Sequence, residues 1–262
     1  MNLRLFDTHA HLNSSDFDDC VPEVVDRAVD AGVEGILVVG YDVASSRRAV
    51  ELAAMHPGYL FACVGIQPNY TAKLQPHDWD VIMDLCAQPG VRAIGETGID
   101  LYWNDAPLEV QRDYFDRHLH LSRDTGLPFV VHMRDSCPEI IEQLGPFAAQ
   151  HGPLRGVMHS FTGTADQANA CLAMGMHISF AGMVTFKKSD ALRQVAATIP
   201  EDRLLIETDA PYLSPDPLRG KRPNEPARVQ HTLQCLARER QTDPQRLAEV
   251  TTNNAKRFLQ LP

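Results

Sequence analysis

Short apolar runs alternate with amphipathic stretches along the whole chain. The runs occupy residues 4–8, 35–40, 60–66, 91–96, 129–132, 156–159, 177–180 and 204–208. None shows the strict polar–apolar alternation of a half-exposed strand, and continuous apolar strands belong to a parallel sheet covered on its outer face. Between them lie helical stripes. Val21, Val24, Val25, Ala28 and Val29 fall at i, i+3, i+4, i+7 and i+8, and Val229, Leu233, Leu236 and Ala237 form a second stripe near the C-terminus. Gly32, Gly126 and Gly175 stand where helices should stop, Asp42 and Pro57 bracket one helix, and Thr164-Ala-Asp-Gln167 has the form of a capping box. Eight such alternations predict an α/β fold, a single (β/α)8 barrel of the TIM type; five or six would suit an open doubly wound sheet. No Gly/Ser-rich linker divides the 262 residues, so residues 1–262 are expected to form one barrel domain.

Composition changes this picture little. Hydrophobic residues make up 44% and charged residues 22%, ordinary values for a globular chain. The formal charge of −10 argues against a broad basic surface for long nucleic acid, but bound cations in a cleft would supply local positive charge. The six cysteines (Cys20, Cys63, Cys86, Cys137, Cys171, Cys235) are scattered without a Cys-x-x-Cys pair, so they read as free thiols. No basic leader runs into an apolar stretch, and no run reaches membrane-spanning length; the expected location is the cytoplasm, without membrane contact or an obligate protein partner.

The chemistry gathers at strand ends. Five of the eight predicted strands end in side chains that can ligate a metal: Asp7-Thr8-His9-Ala10-His11, Gly95-Glu96-Thr97-Gly98, Val130-Val131-His132, Val157-Met158-His159 and Glu207-Thr208-Asp209. Barrel enzymes build their sites at the C-terminal ends of strands, so these groups would converge. His9 and His11, two apart, share one side of an extended chain. Nitrogen and carboxylate donors without thiolate suit zinc, manganese, nickel or magnesium. Six donors exceed what one tetrahedral ion with an open position needs. Two divalent ions about 3.5–4 Å apart would use them better, with Glu96 as the bridge.

These motifs carry a resemblance. Asp7-Thr-His-Ala-His-Leu12, Gly95-Glu-Thr-Gly-Ile-Asp100, His132-Met-Arg-Asp135, His159-Ser-Phe-Thr-Gly163, Ile178-Ser-Phe with Gly182, Glu207-Thr-Asp-Ala-Pro-Tyr-Leu213 and Asn224-Glu-Pro226 follow one another end to end. In this the chain resembles the TatD family of metal-dependent deoxyribonucleases, within the amidohydrolase superfamily. The resemblance implies His9, His11, Glu96, His132, His159 and Asp209 as ligands. His9 and His11 would hold one ion, and His132 and His159 the other. Asp209 would also accept the proton of the attacking water, making Asp209 and Glu96 the catalytic pair, and Asp7 would fix its neighbours.

One motif departs from the family. Where the family commonly shows Gly-Ile-His-Pro-His, this chain reads Gly65-Ile66-Gln67-Pro68-Asn69. Gln67 and Asn69 can donate hydrogen bonds but cannot become cationic. With Tyr102 and Arg134 they are the candidate substrate-binding residues, while Lys187, Lys188, Arg219, Lys221 and Arg222 would bring positive charge to the rim. Ser160, following His159 in an extended strand, is expected to point away from the site. The expected activity is phosphodiester hydrolysis at DNA ends or short single-stranded nucleic-acid ends by water activated between two divalent ions. The alternative is amide or ester hydrolysis, aminoacyl esters included, on the same dinuclear site. A non-catalytic binding protein would have little use for an intact ligand set.

Overall fold

Each predicted apolar run becomes a strand in the computed structural model, which describes residues 3–262. The strands are β1 (Leu5–Ala10), β2 (Val33–Val39), β3 (Leu60–Val64), β4 (Val91–Asp100), β5 (Phe129–Arg134), β6 (Gly156–Met158), β7 (His177–Phe180) and β8 (Leu204–Ile206). All neighbours pair in parallel and in sequence order. The intervening helices are α1 (Val21–Asp30), α2 (Val43–Met55), α3 (Asp78–Leu85), α4 (Leu108–Thr125), α5 (Cys137–His151), α6 (Ala165–Ala173) and α7 (Asp190–Thr198), with α8 (Val229–Glu239) and α9 (Pro244–Phe258) after the last strand. The ring closes between β1 and β8 through an isolated parallel bridge, Ala10 to Ala210. There the Asp209 N–H donates to His9 O (2.9 Å) and the His11 N–H to Ala210 O (2.7 Å). The chain is therefore a (β/α)8 barrel. No helix among the described residues is long and apolar enough to cross a membrane.

Local signals end the elements where the sequence places them. The Thr164 and Gln167 side chains cap each other's backbone at the start of α6, and Asp42 and Ser45 do the same for α2. Gly126 closes α4 in the left-handed region, φ 72°.

Two apolar layers result from the period of two along each strand. Phe6, Leu37, Val39, Phe61, Cys63, Ala93, Val130, Val157 and Leu205 fill the barrel's interior, and Ala255, Phe258 and Leu259 at the end of α9 plug its lower mouth. Leu5, Ile36, Val38, Ala62, Ile94, Val131, Met158, Ile178, Leu204 and Ile206 face the helices. The interior is thus a packed core below and leaves only its upper layer for polar groups.

Strict alternation fails at two places. Phe6 points in, yet Ala10 lies in the outer layer; the β1–β2 register shifts between Asp7 and Ala10. Ala93 points in, yet Ile99 lies in the outer layer; the β4–β5 register shifts between Ile94 and Thr97. Each bulge reverses the parity, so His9 on β1 and His11 just past its end, and Glu96 and Asp100 on β4, turn inward. Gly95, inside the second shift, permits that reversal: its φ is +131°, and a Cβ there would lie 2.6 Å from the Val130 carbonyl oxygen.

α4 fixes the end of β3 with a buried imidazole. His118 Nδ1 donates to Tyr114 O (2.6 Å), and Nε2 accepts the Ile66 N–H (3.0 Å). Burial, with Arg117 nearby, pushes its pKa down to about 4. A depressed imidazole contributes stability that is whole above its unfolded value near 6.5 and is lost as pH falls toward about 4. His118→Gln keeps an acceptor without the titration. In urea unfolding the stability gap between wild type and this variant is expected to shrink by up to about 3 kcal/mol between pH 7 and pH 4. A gap independent of pH would contradict a neutral, accepting His118.

Candidate active site

A cavity of about 870 Å³ opens at the C-terminal end of the barrel. Its floor carries His11, Glu96, His132, His159 and Asp209; its walls include Tyr41, Gln67, Asn69, Tyr70, Trp103, Arg134 and Tyr212. His9 lies beneath, fully buried.

Glu96 divides the floor. Its Oε1 lies 2.6 Å from His132 Nδ1 and 3.0 Å from His159 Nε2. Its Oε2 lies 3.6 Å from His9 Nε2 and 3.8 Å from His11 Nε2. Asp209 Oδ1 approaches the same two nitrogens, 3.8 Å from His9 and 3.4 Å from His11. Two donor groups follow: His9, His11 and Asp209 on one side, Glu96, His132 and His159 on the other. A third grouping, His9, His159 and Glu207, shares members with both.

A further layer of acceptors orients the rings. His132 Nε2 donates to Asp100 Oδ2 (2.9 Å), leaving Nδ1 toward Glu96. His159 Nδ1 lies 3.3 Å from Glu207 Oε1, leaving Nε2 toward Glu96. His11 Nδ1 donates to Val39 O (2.9 Å), which sends Nε2 to within 3.2 Å of His9 Nε2. Glu207 is itself held by the Ser160 N–H and the Ser179 hydroxyl, each at 2.6 Å. Such outer partners fix tautomer and ring direction.

Charge follows from this crowding. Burial alone would raise the Glu96 carboxyl, but His159, His132 and His9 outweigh it and hold the group well below the usual carboxylate range. Asp209, also raised by burial, is brought below its ordinary value by His11 and His9. His9 goes the other way: burial and the facing His159 lower it toward the neutral, donor form. Both carboxylates are therefore ionised and His9 is neutral at physiological pH, whereas the neighbouring carboxylates raise His159, His11 and His132, so a cation entering the cluster would displace protons from those rings.

The remaining predicted residues divide. Gln67 and Asn69 line the cavity; Asn69 Nδ2 donates to Asp100 Oδ2 (3.1 Å), and its N–H donates to Gln67 Oε1 (3.1 Å). Arg134 lines the wall with its guanidinium 4.0 Å above the Tyr102 ring, whereas Tyr102 itself sits outside the lining. Arg222 reaches the mouth; Arg219 instead stacks on Phe186 at 4.3 Å, and Lys187 and Lys188 do not line the cavity. Ser160 corrects an expectation. β6 ends at Met158, Ser160 takes φ 44°, and the residue lines the cavity instead of pointing away. Sequence reasoning missed the orienting role of Glu207 and Asp100, and it missed Lys73, Trp103 and Tyr212 at the mouth.

The family model for TatD-related DNases matches residues 6–260. The chain belongs to the TatD family. It is 38% identical over 257 residues to the metal-dependent hydrolase YabD of Bacillus subtilis, covering 98% of this chain and 99% of that protein. It is 38% identical over 261 residues to the 3'-5' ssDNA/RNA exonuclease TatD of Yersinia pseudotuberculosis, covering 98% and 100%. In three dimensions it superposes on the TatD homologue YjjV of Escherichia coli with a TM-score of 0.92 over the full length of both chains, at 27% identity. This TatD-family chain is a metal-dependent hydrolase, and its donor set fits that dependence. The two facing nitrogens of His9 and His11, 3.2 Å apart with Asp209 and Glu96 oxygens beside them, aim at a common point.

Cation binding to the folded state alone should stabilise it. Thermal scans of chelator-treated protein with zinc or manganese at about a hundredfold over Kd are expected to show Tm rising by about 5–10 °C, reversed by chelator. An unchanged Tm would contradict a preformed site.

Proposed function

We propose that the protein hydrolyses phosphodiester bonds at the ends of single-stranded nucleic acid, using two divalent cations held on either side of Glu96. The observation that carries this reading is the division of that one carboxylate, whose Oε1 serves His132 and His159 while Oε2 faces His9 and His11. Zinc, manganese, nickel and magnesium all match the donors. Bound there, such cations would polarise the phosphoryl oxygen and acidify a water enough to attack at neutral pH.

The chain's own residues supply the rest. Asp209 accepts the proton of the attacking water and returns it to the leaving oxygen. It is suited to this by its ionised state and by its place on the cavity floor, where the seam hydrogen bond to His9 O anchors its backbone. Asp100 and Glu207 keep His132 and His159 turned toward Glu96. Arg134 and Arg222, with Lys73 paired to Asp105 (3.3 Å), bring positive charge to the mouth of a chain whose net charge is −10, where it can meet phosphates. The 3'-5' ssDNA/RNA exonuclease named among the relatives supports this substrate class, and a carbonyl ester substrate is not favoured. Residues 1–262 act in this reading as one domain.

End-labelled single-stranded DNA incubated with metal-restored protein tests the assignment. Asp209→Asn is expected to lower kcat by about 10²–10⁴-fold, the usual weight of a general base, at any metal concentration. Glu207→Gln should instead weaken metal affinity by about 10–100-fold, with activity recovered as metal is raised. Intact DNA beside robust turnover of amide or ester substrates would overturn the proposal.

A further inference from the structure

Among the described residues only three Phe, Tyr or Trp side chains are exposed; two of them line the cavity and the third stands beside one of those. Tyr102, Trp103 and Tyr212 are 55%, 51% and 48% exposed. Leu101 beside them is exposed too. A large aromatic gains by burial, so apolar faces left in water around a single opening mark a surface kept for a ligand.

The topology sets the two groups on opposite sides of the mouth. Tyr102 and Trp103 follow β4, and Tyr212 follows β8. In a closed ring of eight strands in sequence order, β4 and β8 lie diametrically opposite. Trp103 is steadied on its side by Tyr102, with ring centroids 4.8 Å apart, and by the Arg134 guanidinium 5.6 Å from its ring. Tyr212 approaches the donor cluster directly, its ring centroid 6.1 Å from that of His11. Both rings line the cavity, whereas Tyr102 supports from outside.

We infer that Trp103 and Tyr212 form an opposed pair of base-stacking platforms, each taking one unpaired nucleobase on either side of the phosphate that is cut. The inference rests on the nucleic-acid reading above and adds to it how the strand is held. Ring stacking tolerates any base because every base has a π-face. It also selects unpaired strands, since bases within a duplex are already covered on both faces. Arg134, which lines the same cavity, is placed to meet the phosphates between them, and Lys73 could join it by exchanging Asp105 for a phosphate.

The test pairs protein variants with abasic substrates. Single-stranded oligonucleotides carrying one abasic residue, placed in turn at each of the four terminal positions, are degraded by wild type, Trp103→Ala, Tyr212→Ala and the conservative Trp103→Phe and Tyr212→Phe. In wild type, two adjacent positions should show kcat/KM reduced by about 10–100-fold when the base is removed. Trp103→Ala should abolish the penalty at one of them and Tyr212→Ala at the other, while the Phe variants keep both. Penalties that persist unchanged in both alanine variants of normal thermal stability would overturn the platforms with the nuclease reading intact. Wild type that leaves unmodified oligonucleotides undegraded would overturn the nuclease reading itself.

Discussion

The ring is closed at the seam between β1 and β8, and one buried carboxyl group ties the two sides of that seam together. Asp7, wholly inaccessible, accepts from the Thr208 N–H (2.9 Å), from the Thr208 hydroxyl and from the His9 N–H (3.3 Å). Burial pushes its carboxyl up to about 8 despite these bonds, the signature of a group placed where solvation alone would never put it. What it secures is distance. With the backbone bonds from Asp209 to His9 and from His11 to Ala210, it fixes three donors of one group on two strands that are the first and last of the chain.

The opposite side of the site is built by a different device. β4 and β5 press together at Gly98, and the bulge before Glu96 turns that side chain into the barrel. Asp100, four residues on, points the same way and grips His132. Bulge, glycine and carboxylate pair therefore act together, and Glu96 reaches both donor groups because it stands on the strand facing the seam. Five carboxyl groups (Asp7, Glu96, Asp100, Glu207 and Asp209) and four imidazoles share this small volume, with Asp7 held in its neutral form by burial. Bound cations would offset the repulsion among the carboxylates that are ionised.

Much of this was legible in the sequence. The barrel could be read because parallel strands buried on both faces leave continuous apolar runs, and the donors because they recur at the ends of those runs. The spacing of His9 and His11 gave their common side correctly, but not which side. Phe6 points inward, so plain alternation would send His9 outward, and the bulge that reverses it has no marker in the sequence. Glu207 and Asp100 passed unrecognised as positioning groups because their partners, His159 and His132, lie 48 and 32 residues away on other strands. Ser160 was misread because β6 stops one residue before His159. The Gln67 and Asn69 departure now has a physical setting: Asn69 bonds the carboxylate that orients His132, so the change acts on the site's framework as well as on its wall.

If two cations bind as proposed, Glu96 shared between them is the point on which the chemistry turns. Anomalous diffraction from crystals of the protein loaded with manganese examines it directly. The expected result is two peaks, one beside each carboxylate oxygen, the first among His132 and His159 and the second among His9, His11 and Asp209. A single peak at full occupancy, or two peaks with the Glu96 carboxylate turned away from either, would contradict it.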